Sequence, residues 1–268
     1  MSPAKPKISI ITVALNDSDG MDKTLASILS QDYDPIELII IDGGSTDGTL
    51  GVIKKYENRI SWWISEPDYG PYDAMNKGLN RTTGEWVCFM NAGDTFYNSH
   101  TISELFLSDP GDAEVIYGDT VFDYSVFKIH RKPRSHRDFW KGMAFCHQSV
   151  IFRTSLIKEK GYDLTYKLGA DFELIYRLFA EDKRFLYCSG PVAIHNTHGL
   201  SNRYMVKSSR EHFLILMRHK RVTLKEWIYY HQLFGYLILI ELAYKLLPDN
   251  LILKIIKLIN RRHLVTVD

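Results

Sequence analysis

Ile8-Ser-Ile-Ile-Thr-Val13 and Ile36-Glu-Leu-Ile-Ile-Ile41 are two nearly continuous apolar, β-branched runs near the start of the chain. Strands that are buried on both faces, as in a parallel sheet, have this composition. Between the two runs, Met21, Leu25 and Ile28 recur at the spacing of an amphipathic helix. The segment therefore predicts a strand, a helix and a second strand that lies parallel to the first.

The same alternation continues towards residue 90. The pattern predicts a helix over 49–56, a strand over 60–64, a helix over 72–80 and a strand over 85–90. Repeated strand–helix units indicate an α/β fold with a Rossmann-like, mostly parallel sheet that is flanked by helices. In such folds, ligands bind beyond the carboxyl ends of the strands, so we expect the functional residues directly after each strand.

The alternation stops after Asp94, and the rest of the chain differs in pattern. Residues 118–140 contain predicted strands joined by a basic segment, and residues 171–180 return to helical spacing. We divide the chain into residues 1–110, residues 111–200 and a helical, basic C-terminal extension, residues 201–268.

Composition and charge exclude several classes of protein. The 268 residues include 33 basic and 32 acidic side chains, a formal net charge of +1, so no whole-chain field attracts nucleic acid. The charge is uneven, because residues 201–268 carry 12 basic and 5 acidic side chains. The chain lacks the glycine motifs of dehydrogenases, P-loop NTPases and α/β-hydrolases. Its three cysteines are far apart and form no Cys-x-x-Cys pair for zinc or redox chemistry. We therefore expect a reducing compartment.

The C-terminal region favours association with a membrane surface. The uncharged run 227–240 has 14 residues, fewer than the roughly 20 that span a bilayer as a helix. In residues 251–262, isoleucines and leucines surround one basic stripe, as in a helix that lies in the plane of a membrane surface: Lys254, Lys257 and Arg261. We expect a cytoplasmic protein, peripherally associated with the inner face of the cell membrane. For residues 205–247, a helical cap on the sheet or a dimer face fits equally well.

The first two strand ends carry short polar side chains and glycines. Thr12-Val-Ala-Leu-Asn16 ends the first strand, and Asp42-Gly-Gly-Ser-Thr-Asp-Gly48 follows the second. A carboxylate there can accept hydrogen bonds from ribose hydroxyls or from a uracil N–H. Asp-Gly-Gly-Ser is also a favourable turn, and Ser45 or Thr46 is a favourable helix N-cap, so a structural role stays open for this segment alone.

A third and a fourth motif follow at the next two strand ends. They are Asp68-Tyr-Gly-Pro-Tyr-Asp-Ala-Met-Asn-Lys-Gly78 and Gly84-Glu-Trp-Val-Cys-Phe-Met-Asn-Ala-Gly-Asp94. In this order, the four motifs resemble glycosyltransferase family 2, whose members have the GT-A nucleotide-sugar-binding fold. The resemblance covers roughly residues 8–200 and is to the type that assembles bacterial surface polysaccharides.

The resemblance implies that residues 1–110 bind a nucleotide-sugar and that residues 111–200 bind the acceptor. The residues that it assigns to the nucleotide-sugar are Thr12, Ala14, Asn16, Asp42, Asp73, Asn76, Lys77 and Asn91. For the helix after the third strand, the alternatives are helix capping by Asp73 and a solvated Lys77.

The resemblance also implies a divalent cation, Mn²⁺ or Mg²⁺, which neutralises charge on a departing diphosphate. Asp94 is the implied metal ligand, since both ions take oxygen ligands. Asn91-Ala-Gly-Asp94 departs from the family's usual Asp-x-Asp, which leaves open whether the metal is essential. In His195-Asn-Thr-His198, we expect His198 to assist at the cation, and a hydrogen-bonded loop histidine is the alternative.

The family's catalytic base opens a helix in the second half, and Asp171 in Leu168-Gly-Ala-Asp171 matches it. Such a base takes the proton of the acceptor hydroxyl as its oxygen attacks the anomeric carbon. An Asp before an apolar-periodic run is also an ordinary helix N-cap. His147 and Gln148 are assigned to the acceptor, with a pair of satisfied polar groups at a strand start as the alternative.

These assignments predict an inverting glycosyltransferase that moves a sugar from a nucleoside-diphosphate sugar, with a UDP-sugar favoured, to a hydroxyl of a glycan acceptor, which we expect to be lipid-linked. The expected partners are the donor, this acceptor and a membrane surface, without nucleic acid, and a homo-oligomer is compatible with the sequence. The alternatives are a catalytically weak or inactive carbohydrate-binding member of the family and a nucleotidyltransferase. The usual glycine-rich start of a nucleotidyltransferase is missing.

Overall fold

The computed structural model describes residues 5–107, 109–197 and 204–265. Its first half alternates strands and helices as predicted, with element ends within three residues of the expected ones. These elements are β1 (Ile8–Ala14), α1 (Ser18–Leu29), β2 (Ile36–Asp42), α2 (Thr49–Lys55), β3 (Trp62–Ser65), α3 (Pro71–Leu79) and β4 (Trp86–Phe89).

The second half adds strands beside β4 and helices around them. The elements are β5 (Thr95–Phe96), α4 (Thr101–Leu105), β6 (Val115–Asp123), β7 (Lys128–Arg131), β8 (Val150–Arg153), α5 (Thr154–Lys158), α6 (Ala170–Ala180) and β9 (Phe185–Asn196). The strands expected within residues 118–140 correspond to β6 and β7, and the helix expected over 171–180 corresponds to α6. The long strand β9 is not signalled by the sequence pattern.

The described strands form one mixed sheet. With β10 (Leu264–Val265) at one edge, its order is β10-β7-β6-β8-β4-β1-β2-β3, and β9 pairs with both β5 and β6. Neighbours among β3, β2, β1 and β4 are parallel, whereas β8 is antiparallel to β4 and to β6. The predicted α/β class with a Rossmann-like sheet is confirmed, and the antiparallel pairs are concentrated in the second half.

The register of the parallel strands aligns their carboxyl ends. Ala14 pairs with Asp42, and Asp42 pairs with Ser65. Because side chains alternate across a strand, neighbouring residues of β1 enter different cores: Ile10 is buried on one face of the sheet and Ile11 on the other. The sheet is therefore covered on both faces, and the loops after β1, β2 and β3 lie at one edge.

The C-terminal region is helical and is partly built into the main core. Its elements are α7 (Met205–His219), α8 (Leu224–Leu246), α9 (Asp249–Ile259) and β10 (Leu264–Val265). Phe213, Leu216 and Tyr230 are buried in the same cluster as Phe172 of α6. α7 and the start of α8 therefore pack on the sheet domain as a helical cap, one of the alternatives for residues 205–247.

The chain returns to the sheet after the last helix. β10 pairs antiparallel with β7, so α8 and α9 lie between two points that are fixed to the sheet domain. In the part of the chain that the structure describes, none of the helices combines the length and the apolar composition needed to cross a bilayer.

Candidate active site

A cavity of about 260 Å³ opens at the carboxyl ends of the parallel strands. Asp94, from the loop after β4, and Asp171, from the first turn of α6, both line this cavity. Asn91, Tyr72 and His195 line it as well. The structure thus brings the predicted metal ligand and the predicted base into one space, although 77 positions separate them in the sequence.

Asp94 is fixed by long-range contacts. Its backbone carbonyl accepts a hydrogen bond from the Thr24 hydroxyl of α1 at 2.7 Å. The residue is 4% exposed. Its Oδ1 lies 2.9 Å from His195 Nδ1 and accepts a hydrogen bond from the Asn196 N–H at 2.8 Å. The pairing of β5 with β9 places His195 there.

His195 is the imidazole partner of Asp94, with 14% of its side chain exposed. Burial alone lowers the pKa of this imidazole, but the negative charges of Asp94 and Asp171 outweigh it and raise the pKa above its ordinary value. The charged form of His195 is favoured by the two carboxylates on either side of the cavity. The histidine that contacts Asp94 is therefore His195, while the predicted helper His198 lies outside the described residues.

The residues present fit a divalent cation that completes its coordination with diphosphate oxygens and water. Among the described residues, no group of three or more His, Cys, Asp or Glu side chains forms a metal cluster. Both hydrogen bonds to Asp94 fall on Oδ1, which leaves Oδ2 without one within the described part, and Asn91 Oδ1 is buried without a partner there. Mg²⁺ commonly uses one or two carboxylates plus substrate phosphates, so Asp94 and Asn91 would hold it.

Asp171 belongs to the first turn of α6 but does not cap it. Gly169 is the N-cap residue, so the capping alternative for Asp171 is wrong. Oδ1 of Asp171 accepts from the Tyr72 hydroxyl at 3.0 Å and from the Phe172 N–H at 2.8 Å. Burial raises the pKa of Asp171 above its usual range, against the effect of these two hydrogen bonds. A carboxylate with a raised pKa is suited to accept a proton.

His147 and Gln148 line the same cavity as the two aspartates, and each has one polar atom with a protein partner. His147 Nε2 lies 2.6 Å from the Tyr162 hydroxyl, and burial lowers the pKa of His147 to about 4. Gln148 Oε1 accepts from the Cys146 thiol at 2.9 Å. His147 is therefore a neutral part of the cavity wall, and no partner of the Gln148 amide nitrogen is found among the described residues.

Asp42 is fully buried and organises the loop that follows β2. Its carboxylate accepts from the Ser45 N–H at 2.9 Å and from the Ser65 hydroxyl at 2.6 Å. Gly44 lies beside it at a φ of 84°, which glycine adopts without strain. Asp42 therefore stabilises the turn after β2, which is the structural role that the sequence left open for this segment.

The other residues assigned to the nucleotide-sugar lie around the cavity, but outside its lining. Thr12 is buried within β1, and Ala14 ends that strand. Asn16 has a φ of 52°, and its Oδ1 accepts from the Thr46 N–H at 2.8 Å, which joins the loops after β1 and β2. These loops form one edge that a nucleotide could contact.

The polar residues of α3 make local and tertiary contacts. The Asn76 side chain forms two hydrogen bonds with the Tyr162 backbone, donating at 3.0 Å and accepting at 2.8 Å. Lys77 Nζ lies 2.8 Å from Glu66 and 3.6 Å from Asp73, so it is partly neutralised within the loop after β3. Asn76 therefore joins the two halves of the domain.

The sequence assigns no role to several site residues, although Tyr72 lies within the third motif. Asp17 lines the cavity and caps α1 by accepting from the Gly20 N–H at 2.9 Å. Tyr72 follows a proline and a glycine and resembles an ordinary helix start. Glu211 of α7 accepts from the N–H groups of Lys167 and Leu168, at 3.1 and 2.8 Å, in the loop that borders Asp171. Only proximity in the folded chain identifies these residues.

Solved structures with a similar fold are glycosyltransferases. Staphylococcus aureus TarS 1–349 in complex with UDP-GlcNAc has a TM-score of 0.63 at 18% identity, over 82% of this chain and 69% of that one. The Pyrobaculum calidifontis mannosyltransferase PcManGT, in complex with GDP-Man and Mn²⁺, also has a TM-score of 0.63 at 18% identity, over 86% of this chain and 70% of that one. The fold is therefore the GT-A fold of glycosyltransferases.

Comparison of the sequences identifies the family. The model of glycosyl transferase family 2 matches residues 9–172. An uncharacterised glycosyltransferase of Mycobacterium tuberculosis is 35% identical over 179 residues, 64% of this chain and 68% of that protein. A PGL/p-HBAD biosynthesis glycosyltransferase of Mycobacterium bovis is 31% identical over 212 residues, 76% of this chain and 82% of that protein. The chain belongs to glycosyl transferase family 2 and is a glycosyltransferase.

Proposed function

We propose that this glycosyltransferase moves one sugar, with inversion, from a nucleoside-diphosphate sugar to a hydroxyl of a surface glycan acceptor. The observation that carries the proposal is the shared cavity of Asp94 and Asp171. A donor diphosphate beside Asp94 leaves the anomeric carbon between the two carboxylates. The relative named for PGL/p-HBAD biosynthesis supports a role in surface glycan assembly. UDP-GlcNAc in the TarS structure supports a UDP-sugar, while GDP-Man in PcManGT marks the competing donor class.

In the proposed reaction, Asp171 accepts the proton of the acceptor hydroxyl. Both of its hydrogen bonds fall on Oδ1, so within the described residues Oδ2 is left to take that proton. The hydroxyl oxygen forms a bond to the anomeric carbon, and the bond from that carbon to the diphosphate oxygen breaks. The nucleoside diphosphate leaves with the electron pair. A single displacement with one base inverts the anomeric configuration, which NMR of the product's anomeric proton would test.

Asp94 and Asn91 would hold the divalent cation at the diphosphate side of the cavity. When bound, the cation neutralises charge that develops on the departing diphosphate. Mn²⁺ in the PcManGT structure supports this cofactor, and Mg²⁺ has the same preference for oxygen ligands.

A donor panel tests the proposed function directly. The full chain is incubated with UDP-, GDP- and TDP-sugars, with Mn²⁺ or with EDTA, and donor cleavage and binding are measured. We expect cleavage of one nucleotide class with Mn²⁺, and a loss of roughly 100-fold or more in EDTA and in Asp94→Asn. Asp109→Asn, which makes the same change at an exposed loop, serves as the control.

The outcomes separate the proposal from its alternatives. Binding without cleavage would indicate an inactive, carbohydrate-binding member, and release of pyrophosphate from a nucleoside triphosphate would indicate a nucleotidyltransferase. Full activity of Asp94→Asn would contradict the metal site.

We also propose that α8 and α9 rest on the surface of an anionic bilayer, at the cytoplasmic leaflet. Trp227, Tyr236 and Leu239 of α8 are exposed, and so are Leu258 and Ile259 of α9. Exposed apolar side chains on helices that also carry basic residues such as Lys254 and Lys257 are typical of helices that lie in a membrane interface. This arrangement supports an acceptor that is carried on a lipid.

A further inference from the structure

A second cavity of about 460 Å³ adjoins the first one. The two cavities share His147, Gln148, Asp171 and His195 in their walls. Asp94 lines only the first cavity, whereas Asp171 lines both. The first cavity is therefore the side of the proposed donor, and the second cavity gives separate access to Asp171. An acceptor in the second cavity would reach Asp171 without passing through the donor's space.

The second cavity is cationic. Arg131, Lys132 and Arg134 line it, and Asp171 is the one carboxylate among the residues that form its wall. His212 contributes no charge at neutral pH, because burial lowers its pKa to about 4. A concave site with three cations at its rim favours an anionic ligand.

None of the three cations has an acidic side chain within ion-pair distance in the described part of the chain, although the charge of Arg134 is felt by Asp138. Other basic residues do pair, as Lys7 does with Glu37 at 3.0 Å. Arg134 donates to the carbonyl of Met143 at 2.7 Å, and Arg131 donates to Asn260 Oδ1 at 3.3 Å. Both guanidinium groups are thus held by neutral acceptors, and their charge stays available to a ligand.

The cavity also has an apolar side that leads towards the C-terminal helices. Phe122, Met143 and Phe145 line it. The guanidinium of Arg131 lies 5.3 Å from the centre of the Phe122 ring, and its contact with Asn260 joins the cavity wall to the end of α9. The cationic rim is therefore next to the helix for which we propose a membrane contact.

We propose that this second cavity binds the acceptor through a diphosphate group, with Arg131, Lys132 and Arg134 as its ligands and the acceptor hydroxyl directed at Asp171. This assignment rests on the proposed glycosyl transfer and names the chemical class of the acceptor. A lipid-linked acceptor and a water-soluble phosphorylated acceptor could both present such a group. Because the three cations lie beside α9, for which we propose a membrane contact, we favour the lipid-linked diphosphate.

The test measures binding of geranyl diphosphate to the full chain by calorimetry, in EDTA so that cation-assisted binding beside Asp94 does not contribute. We expect Arg131→Gln/Lys132→Gln to weaken binding by about ten-fold or more, since each change removes a charge-assisted hydrogen bond. Lys23→Gln/Lys54→Gln removes the same charge from exposed positions of α1 and α2 and should leave the affinity unchanged. The charge-conserving Arg131→Lys/Lys132→Arg should retain binding, which separates loss of charge from loss of folding.

Inorganic pyrophosphate and geraniol distinguish the sources of affinity. Tighter binding of geranyl diphosphate than of pyrophosphate supports a lipid-linked acceptor, and equal binding supports the subsite with a water-soluble phosphorylated acceptor. Equal affinity of the wild type and Arg131→Gln/Lys132→Gln, or geraniol binding as tightly as geranyl diphosphate, would overturn the proposal. Nucleotide-sugar binding with Mn²⁺, measured on the same samples, tests the proposed function separately, because it depends on the first cavity.

Discussion

At the residue scale, the candidate site depends on how the carboxylates of Asp94 and Asp171 are held. Asp94 and Asp171 each use Oδ1 for hydrogen bonds from the protein, with Oδ2 left without one among the described residues. The partners differ, since a histidine with a raised pKa contacts Asp94 and a tyrosine hydroxyl contacts Asp171. Burial raises the pKa of Asp171, which favours proton uptake by its carboxylate.

Asp171→Asn separates the catalytic role from a structural one. Asn keeps the size of the side chain and an oxygen for the Tyr72 hydroxyl, so we expect the melting temperature to stay within a few degrees. Asn cannot accept the proton, so sugar transfer should fall by roughly 100-fold or more. Asp182→Asn, at the exposed end of α6, is the matched control and should transfer normally. Near-wild-type turnover of Asp171→Asn would remove this residue from the mechanism.

Tyr72→Phe changes the pH dependence of transfer. The proposed mechanism requires the Asp171 carboxylate, whose pKa is raised, so the rate should fall as the pH drops through that pKa. The Tyr72 hydroxyl stabilises the charged form and lowers the pKa of Asp171. Its removal raises this pKa further, and the acidic limb of the pH–rate profile should move to higher pH. An unchanged acidic limb would show that Asp171 does not set it.

At the scale of elements, the site is assembled by contacts between helices and loops that are distant in sequence. α7 lies in the C-terminal region, yet its Glu211 holds the backbone of Lys167 and Leu168 beside the cavity. The ring of His212, the next residue, packs against Phe172 of α6 at a tilt of 43°, with ring centres 4.4 Å apart. The start of the C-terminal region therefore positions the loop before α6, the helix that carries Asp171.

Glu211→Gln should act in the opposite direction to Tyr72→Phe. Burial is the main cause of the raised pKa of Asp171, and the negative charge of Glu211 raises this pKa further. Its removal lowers this pKa, so the acidic limb of the pH–rate profile should move to lower pH. Gln also presents an NH₂ group to one of the two backbone N–H donors, so the loop loosens and KM for the acceptor should rise. Glu159→Gln, exposed after α5, is the control, and a shift to higher pH would contradict the assignment.

At the scale of the whole molecule, α8 and α9 form an arm that is anchored at both ends. Tyr230 is buried near the start of α8, and β10 pairs with β7 after α9. Removing residues 224–268 would therefore damage the core and the sheet edge together. Substitutions at exposed positions are the cleaner probe of membrane contact.

Leu258→Gln/Ile259→Gln should weaken binding to vesicles that contain phosphatidylglycerol. Leu258 is 68% exposed and Ile259 is 73% exposed, so the change leaves the core intact and removes apolar area from the interface. Vesicle flotation measures the bound fraction, and Leu107→Gln/Leu164→Gln is the control, away from the arm. Wild-type protein should bind pure phosphatidylcholine less well, because the attraction of Lys254 and Lys257 is lost. Equal flotation of both double variants would contradict the membrane contact.

Local patterns were sufficient for the first half of the fold. The β-branched runs of β1 and β2 and the helical spacing of α1 depend on neighbours within a few positions, so the sequence alone predicts them. The same holds for Asp94 and Asp171, which lie in motifs that resemble the family's. The long strand β9 carries no such pattern, because it pairs with β5 and β6 and lies partly exposed.

The sequence by itself determined the α/β class, the family resemblance and the two aspartates, since hydrophobic periodicity and short motifs are local properties of the chain. Only the tertiary structure decided which side chains surround those aspartates. It placed His195 on Asp94, Tyr72 on Asp171, and Asp42 inside a loop rather than in the cavity. The physical reason is that these contacts join positions up to about a hundred residues apart. The pairing of strands and the packing of helices bring such positions together, and neither can be predicted from the local sequence around one residue.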